Sequence, residues 1–290
     1  MIWVGYALLS AFCLATTDAL TKKSLGALQR SGDLYLVAWG RLLYAVPLLL
    51  LALVFIPAPR LDATFWWTIV CLVPLELTAL VLYVKALQAS PLSVTLPFLY
   101  LTPVFLLLTS AVMLGEVPSL LGGVGVICIV AGAFVLHAQA WREGPRRLLA
   151  LIWNERGSRY MIATAFLYSI TSNLGKQAIL HSSPVFFGVV YVLILTAAFF
   201  PVALAVVGPR GLRGIWRRDF VAIGAFEAVM ILSHMLAIVQ TNVAYMIAVK
   251  RTSTLFGLAY GKWWFGELQM TQRLAGVVVM LVGVVLTVAG

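Results

Sequence analysis

Charge is what this 290-residue chain has least of: 10 % of its residues are charged and 62 % are hydrophobic. A soluble domain carries about 25 % charged residues, so a water-exposed globular protein is excluded. Cysteine is scarce as well. Cys13, Cys71 and Cys128 all fall inside apolar runs, which leaves no loop disulfide framework. His137, His181 and His234 are scattered, and no Cys/His cluster has metal-ligand spacing, so neither a metal nor another cofactor is expected. There is no P-loop lysine motif and no Gly-x-Ser-x-Gly, and hence no sign of ATP use or of a soluble hydrolase. Residues 1–20 lack a basic n-region and a small-residue cleavage site, so the first apolar run is expected to be retained.

What is present is hydrophobic length. Mean hydropathy is +1.03, and apolar runs cover 2–20, 34–56, 64–87, 91–114, 118–137, 159–180, 184–207, 219–240, 242–265 and 271–289. A spanning helix needs about 20 apolar residues. A membrane β-barrel would instead show alternating segments of about ten residues. The fold class predicted is an all-α polytopic membrane protein with ten transmembrane helices. The excess of Lys and Arg over Asp and Glu (20 against 10) is assigned to lipid headgroups rather than nucleic acid.

Three hydrophilic stretches interrupt the pattern, at 21–33, 138–158 and 208–218. The middle one, a basic connecting loop, separates residues 1–137 from 159–290, with five runs on each side. The two parts align. At an offset of 151, Glu76 falls on Glu227, Gly115–Glu116 on Gly266–Glu267, Gly125 on Gly276 and Gly132 on Gly283. At an offset of 154, Lys22 falls on Lys176 and Pro47 on Pro201. Five spans per half would make the repeats inverted, with a site expected at mid-membrane between them. Lys22, Lys23, Arg30, the five arginines of 138–159, the four of 208–218 and Arg273 would share one side of the membrane. Only Arg60 and Lys176 would face the other, so the positive-inside rule puts both termini outside.

Charges inside spans cost about 2.5–3.5 kcal/mol each, so each needs a reason. Asp18, Arg41, Glu76, Glu227, Lys250 and Arg251 sum formally to zero, and mutual pairing is the plain alternative for every one of them. Glu76 and Glu227 occupy equivalent places in the third span of each half. Seven residues on, Tyr83 and His234 lie on the same helical faces. Buried carboxylates with such neighbours suit proton coupling or a counter-charge. Lys250 and Arg251, followed by Thr252, Ser253 and Thr254, lie near mid-depth and suit an anion, with Arg giving bidentate contact to phosphate or carboxylate. Their counterparts in the first half are Leu99 and Tyr100, so the feature breaks the internal symmetry. Arg41 is expected to join the site or to pair with a carboxylate, and Asp18 to form an i,i+4 pair with Lys22. Gly115–Glu116 and Gly266–Glu267 suit structural roles at helix ends. Pro47, Pro97, Pro103 and Pro201 are expected to kink their spans.

The stretches SPLSVTLPFLYLTPVFLLLTSAVMLGE and TNVAYMIAVKRTSTLFGLAYGKWWFGE each precede a glycine-rich last helix, GGVGVICIVAGAFVL and LAGVVVMLVGVVLTVAG. With the duplicated layout, they resemble the drug/metabolite transporter superfamily, and within it the bacterial EamA-like transporters, over nearly the whole chain. The resemblance implies secondary active transport of a small metabolite through a cavity between inverted halves, without settling the substrate. Members handle amino acids, nucleotide sugars, organophosphates, choline and drugs. VKRTS around Lys250 and Arg251 is also similar to the ninth-span Lys-Arg of plastid phosphate translocators, which contacts substrate phosphate. Members are usually drawn with both termini in the cytoplasm, the reverse of the arginine count.

The expectation is therefore a bacterial inner-membrane secondary transporter, not an enzyme, for a small polar anionic or phosphorylated metabolite. Lys250, Arg251, Arg41, Thr254 and Tyr83 would bind the substrate. Glu76, Glu227 and His234 would couple protons or supply counter-charge. A monomer would suffice, because both halves are present in one chain, with a dimer as the alternative. The alternatives are an exporter of amino acids or cationic drugs, a flippase of a lipid-linked headgroup, a membrane-embedded enzyme using the same acids, and a non-transporting scaffold.

Overall fold

The computed structural model describes residues 2–25, 32–90, 92–136, 154–265 and 274–290. Among these the chain is helical, and long apolar runs make it so. With no water to satisfy backbone groups in a bilayer, a spanning segment bonds within itself. The helices are α1 (Ile2–Leu25), α2 (Asp33–Leu53), α3 (Ala63–Ala89), α4 (Leu92–Leu99), α5 (Thr102–Leu114), α6 (Leu120–Leu136), α7 (Arg156–Leu180), α8 (Pro184–Gly211), α9 (Asp219–Ile238), α10 (Val243–Lys250), α11 (Ser253–Phe265) and α12 (Leu274–Ala289). Among the described residues, six segments are both long and apolar enough to cross a bilayer: Ile2–Lys23, Asp33–Leu53, Ala63–Ala89, Pro97–Leu114, Pro184–Ile215 and Asp219–Ile238. Two shorter apolar helices lie at 120–135 and 275–289.

The polarity gradient runs opposite to that of a soluble protein. Leu51, Trp67, Val112, Leu120 and Trp263 are exposed, whereas Ser10, Thr17, Thr164, Asn173, Lys176 and Glu227 are buried. An apolar outer surface of this extent is stable against lipid, and the chain is an integral membrane protein. α7, which covers the predicted run 159–180, is not among these six segments, and its buried polar face is the reason. At 25 residues it is about 37 Å long, but it buries Ser158, Thr164, Ser169, Thr171, Asn173 and Lys176. Its polar face is clasped by α3, α4 and α5.

Two of the predicted runs are not single helices. The run 91–114 divides into α4 and α5 at Tyr100–Leu101, and 242–265 divides into α10 and α11 at Arg251–Thr252. Both joints are tightened turns with i→i−3 bonds: Leu101 N–H donates to Phe98 O (3.2 Å) and Thr252 N–H to Val249 O (3.0 Å). At the first joint the cause is local. Pro103 has no N–H for the Leu99 carbonyl, and the Thr102 hydroxyl donates to it instead at 2.7 Å. Pro103 thus sits in the first turn of α5, at the break in the run. Such mid-span loosening is where hinges and functional groups collect.

The helices pack in a definite set of partnerships. α1 lies on α9, α3 on α7, α2 on α8, and α6 on α12. The last pair approaches through glycines. A Cβ on Gly125 would sit 2.7 Å from the Gly283 carbonyl oxygen, and one on Gly132 would sit 2.7 Å from that of Gly276. α2 and α9 meet where the Tyr44 ring stacks on Phe220, centroids 5.6 Å apart. The principal core runs between α1, α2, α3, α8, α9 and α10.

Candidate functional site

The charged residues collect in the interior. Arg41, two turns into α2, donates from Nε (3.2 Å) and Nη2 (2.9 Å) to Glu227 Oε2 on α9. Its Nη1 donates to Asp18 Oδ1 on α1 at 2.8 Å. One guanidinium thus bridges two carboxylates from three elements. The Glu227 side chain is 9 % exposed and that of Asp18 56 %. Asp18 is within electrostatic reach of Lys250 on α10, Tyr83 on α3 and Tyr100 between α4 and α5. Groups from α3, α10 and the α4–α5 joint therefore share the field of Asp18. Asp18 pairs with Arg41 across two helices through a planar, charge-assisted contact.

Lys250 and Arg251 point to different neighbours, as adjacent helical residues must. Lys250 Nζ lies 3.0 Å from His234 Nδ1 and 3.1 Å from Met230 Sδ, both on α9. Arg251 sits at the α10–α11 joint with its guanidinium carbon 5.9 Å from the Tyr100 ring centroid. Its Nε is buried and has no hydrogen-bond partner. Tyr168 on α7 and Tyr83 lie in the same field. The Thr254 hydroxyl is 3.0 Å from Tyr100 Oη and from the Arg251 carbonyl oxygen. Tyr100 and Arg251 are equivalent at the offset of 151, and they meet face to face at the two helix joints.

Glu76 stands apart from its counterpart. Its Oε1 accepts from Tyr191 Oη on α8 at 2.7 Å, and Thr171 on α7 also donates to it. No cation among the described residues pairs with it, whereas Glu227 has Arg41. The structure therefore links Arg41 to Glu227, Lys250 to His234, and Arg251 to Tyr100 and Thr254, with Tyr83 in electrostatic reach of both arginines. Glu76 lies one electrostatic step away, through Tyr168. His234 serves Lys250 rather than Glu227.

A family model for the EamA-like transporter family matches residues 1–138 and 156–289. The chain belongs to the EamA-like transporter family. It is accordingly a membrane transporter of the drug/metabolite superfamily. No curated protein matches the chain. A solved structure titled "Crystal structure of protein" is 17 % identical and shares the fold with a TM-score of 0.71, covering 97 % of this chain and 95 % of its own.

Within this EamA-like transporter, sequence reasoning missed Asp18 as a site member and missed Tyr100, Tyr168, Tyr191 and Thr171. The position of Tyr100 opposite Arg251 in the internal alignment was the one signal available for it. Glu116 adopts a helix-end role. Gly115 closes α5 at φ 69°, a conformation glycine adopts without strain, and Glu116 N–H donates to Ser110 O at 3.2 Å. Gly266 and Glu267 lie outside the described residues, as do Arg30, His137, Arg142, Arg146, Arg147 and Arg273.

Proposed function

We propose that this transporter moves a small polar anion, carboxylated or phosphorylated, by alternating access between two inverted five-helix repeats. The observation that carries the substrate reading is Arg251. It sits at the joint of a broken helix, and its Nε–H is buried without an acceptor. Leaving such a donor unmade costs about 1–3 kcal/mol, which an incoming oxyanion would recover. Lys250 supplies a second positive charge one residue away, and Thr254 and Tyr83 offer hydroxyls. Arg41 is already neutralised by two carboxylates, so in this reading it frames the site and Glu227 is its fixed counter-charge. Glu76, held by neutral hydroxyls, is the candidate for proton coupling, and His234 holds Lys250 in place.

The inverted-repeat reading is supported by the packing partnerships. Exchanging the first five runs for the last five turns the α1–α9 contact into α7–α3, and leaves α2–α8 and α6–α12 unchanged. The glycines behave likewise: Gly125 and Gly132 cross Gly283 and Gly276, which are the counterparts of Gly132 and Gly125 respectively. The bacterial inner membrane, with basic loops in the cytoplasm, is the location that fits the charge distribution.

The test is thermal stabilisation of the detergent-purified protein by a panel of carboxylates and organophosphates, wild type beside Arg251→Ala. A ligand that binds only the folded state raises its melting temperature by mass action. Losing one charge-assisted contact of about 1.5–3 kcal/mol should weaken binding roughly tenfold or more. Equal stabilisation of the two proteins would remove the anion reading. Asp18 favours a second reading, a zwitterionic or cationic substrate, since it is more than half exposed with only Oδ1 in its ion pair with Arg41. Stabilisation by amines that is lost in Asp18→Asn and kept in Arg251→Ala would select it.

A further inference from the structure

The end of the bundle that holds both termini is tied across the two halves by a cluster that the substrate reading does not use. Glu116 follows α5 in the first half, and Lys176 lies in the last two turns of α7 in the second. Lys176 Nζ donates to Glu116 Oε1 and, at 2.6 Å, to the Thr241 carbonyl oxygen. Glu116 Oε2 accepts from the backbone N–H of Val243, the first residue of α10, at 2.8 Å. The side chains are 9 % exposed for Lys176 and 19 % for Glu116, so the ion pair is largely withdrawn from solvent. Two further contacts fix the same joint. The Ser119 N–H donates to Tyr245 Oη at 2.9 Å, and one turn before Lys176, Asn173 Nδ2 donates to Thr109 Oγ1 at 3.1 Å.

α10 ends at Lys250 and Arg251. The cluster therefore holds the outer end of the same eight-residue helix whose inner end carries the proposed anion ligands. It also links that helix to the first half of the chain, so the halves cannot separate at this end while Glu116 keeps both partners. Asp18 lies toward the basic-loop end of α1 with its side chain 56 % exposed.

We infer that Glu116, Lys176 and the start of α10 form the latch that closes the transport path at the terminus end, and that this latch must release for the opposite state to form. The inference rests on the alternating-access reading. Breaking one partner of a buried pair leaves an uncompensated charge, so a variant neutralising both is needed beside the single one.

The experiment uses protein lacking Cys13, Cys71 and Cys128, with a reporter at the central position, Tyr83→Cys. It is reconstituted in vesicles sorted by the accessibility of a C-terminal tag and labelled with a membrane-impermeant maleimide from either side. With the latch intact, labelling proceeds from the basic-loop side. In Glu116→Gln, and in the Glu116→Gln/Lys176→Met double variant, labelling from the terminus side rises roughly tenfold, the effect of shifting the equilibrium by about 1.4 kcal/mol. Variants that melt like the parent and still label from the basic-loop side alone would overturn the latch. So would a parent that already labels equally from both sides. The readout needs no substrate. One-sided labelling of all variants, with anion stabilisation still dependent on Arg251, would reject the latch and leave the transport reading standing. Loss of the Arg251 dependence would reject the substrate reading whatever the labelling.

Discussion

Among the described residues Arg41 has two carboxylate partners and Arg251 has none, and that difference underlies the separate roles proposed for them. The Arg41 bridge joins α1, α2 and α9, and its removal would leave Glu227 buried without a counter-charge. Arg41→Leu is expected to destabilise the protein by about 3–5 kcal/mol. The Arg41→Leu/Glu227→Leu pair should recover much of that loss, read as melting temperature in one detergent. Arg251→Ala should leave the melting temperature of the ligand-free protein nearly unchanged, because no acceptor is orphaned.

At the same scale but outside the spans, Asp62 caps α3. Its carboxylate accepts the Phe65 N–H at 2.9 Å and lies 2.7 Å from His181 Nδ1. The Phe65 N–H first, and then His181, hold its carboxyl below the ordinary aspartate range. A lowered folded-state value means the contribution is present above the unfolded value of about 3.9 and is lost as pH falls through the folded value. Melting curves between pH 5 and pH 3 (roughly spanning that window) should therefore fall more steeply for wild type than for Asp62→Asn.

At the scale of elements, α6 and α12 touch through backbone, and the glycines at their crossing have no room for a side chain. Gly125→Val or Gly283→Val would force the pair apart, at a cost of about 1–3 kcal/mol by overpacking, whereas Gly123→Ala, with open space beside it, should be silent. Melting temperatures of the three variants decide it. These helices were legible in the sequence because a long apolar run in lipid has one outcome. The joints at Tyr100–Leu101 and Arg251–Thr252 were not. Hydropathy is continuous across both, and at the first the break comes from a missing proline N–H. The Asp18–Arg41 contact was hidden for a different reason: it joins residues 23 apart on separate helices, and the i,i+4 spacing of Lys22 offered a nearer partner. Conversely, the offset of 151 had already set Arg251 beside Tyr100 in the alignment, and only the packing shows that the two residues touch.

At the scale of the whole molecule, a polar interior is enclosed by an apolar exterior, and the charges of the interior fall into groups with separate duties. Asp18, Arg41 and Glu227 close on one another. Glu116 and Lys176 hold one end. Arg251, beside Lys250 and facing tyrosines, is the proposed anion ligand. A transporter built this way should depend on Arg251 for substrate and on the Glu116–Lys176 pair for the direction in which the site faces. The most direct measurement is counterflow in proteoliposomes. The anion giving the largest thermal stabilisation is loaded inside, and uptake of its labelled form is followed for wild type, Arg251→Lys and Arg251→Ala. Saturable uptake by wild type, reduced in Arg251→Lys and lower by roughly tenfold or more in Arg251→Ala, is the result expected. Equal counterflow by all three proteins would contradict the assignment of Arg251 as the anion ligand.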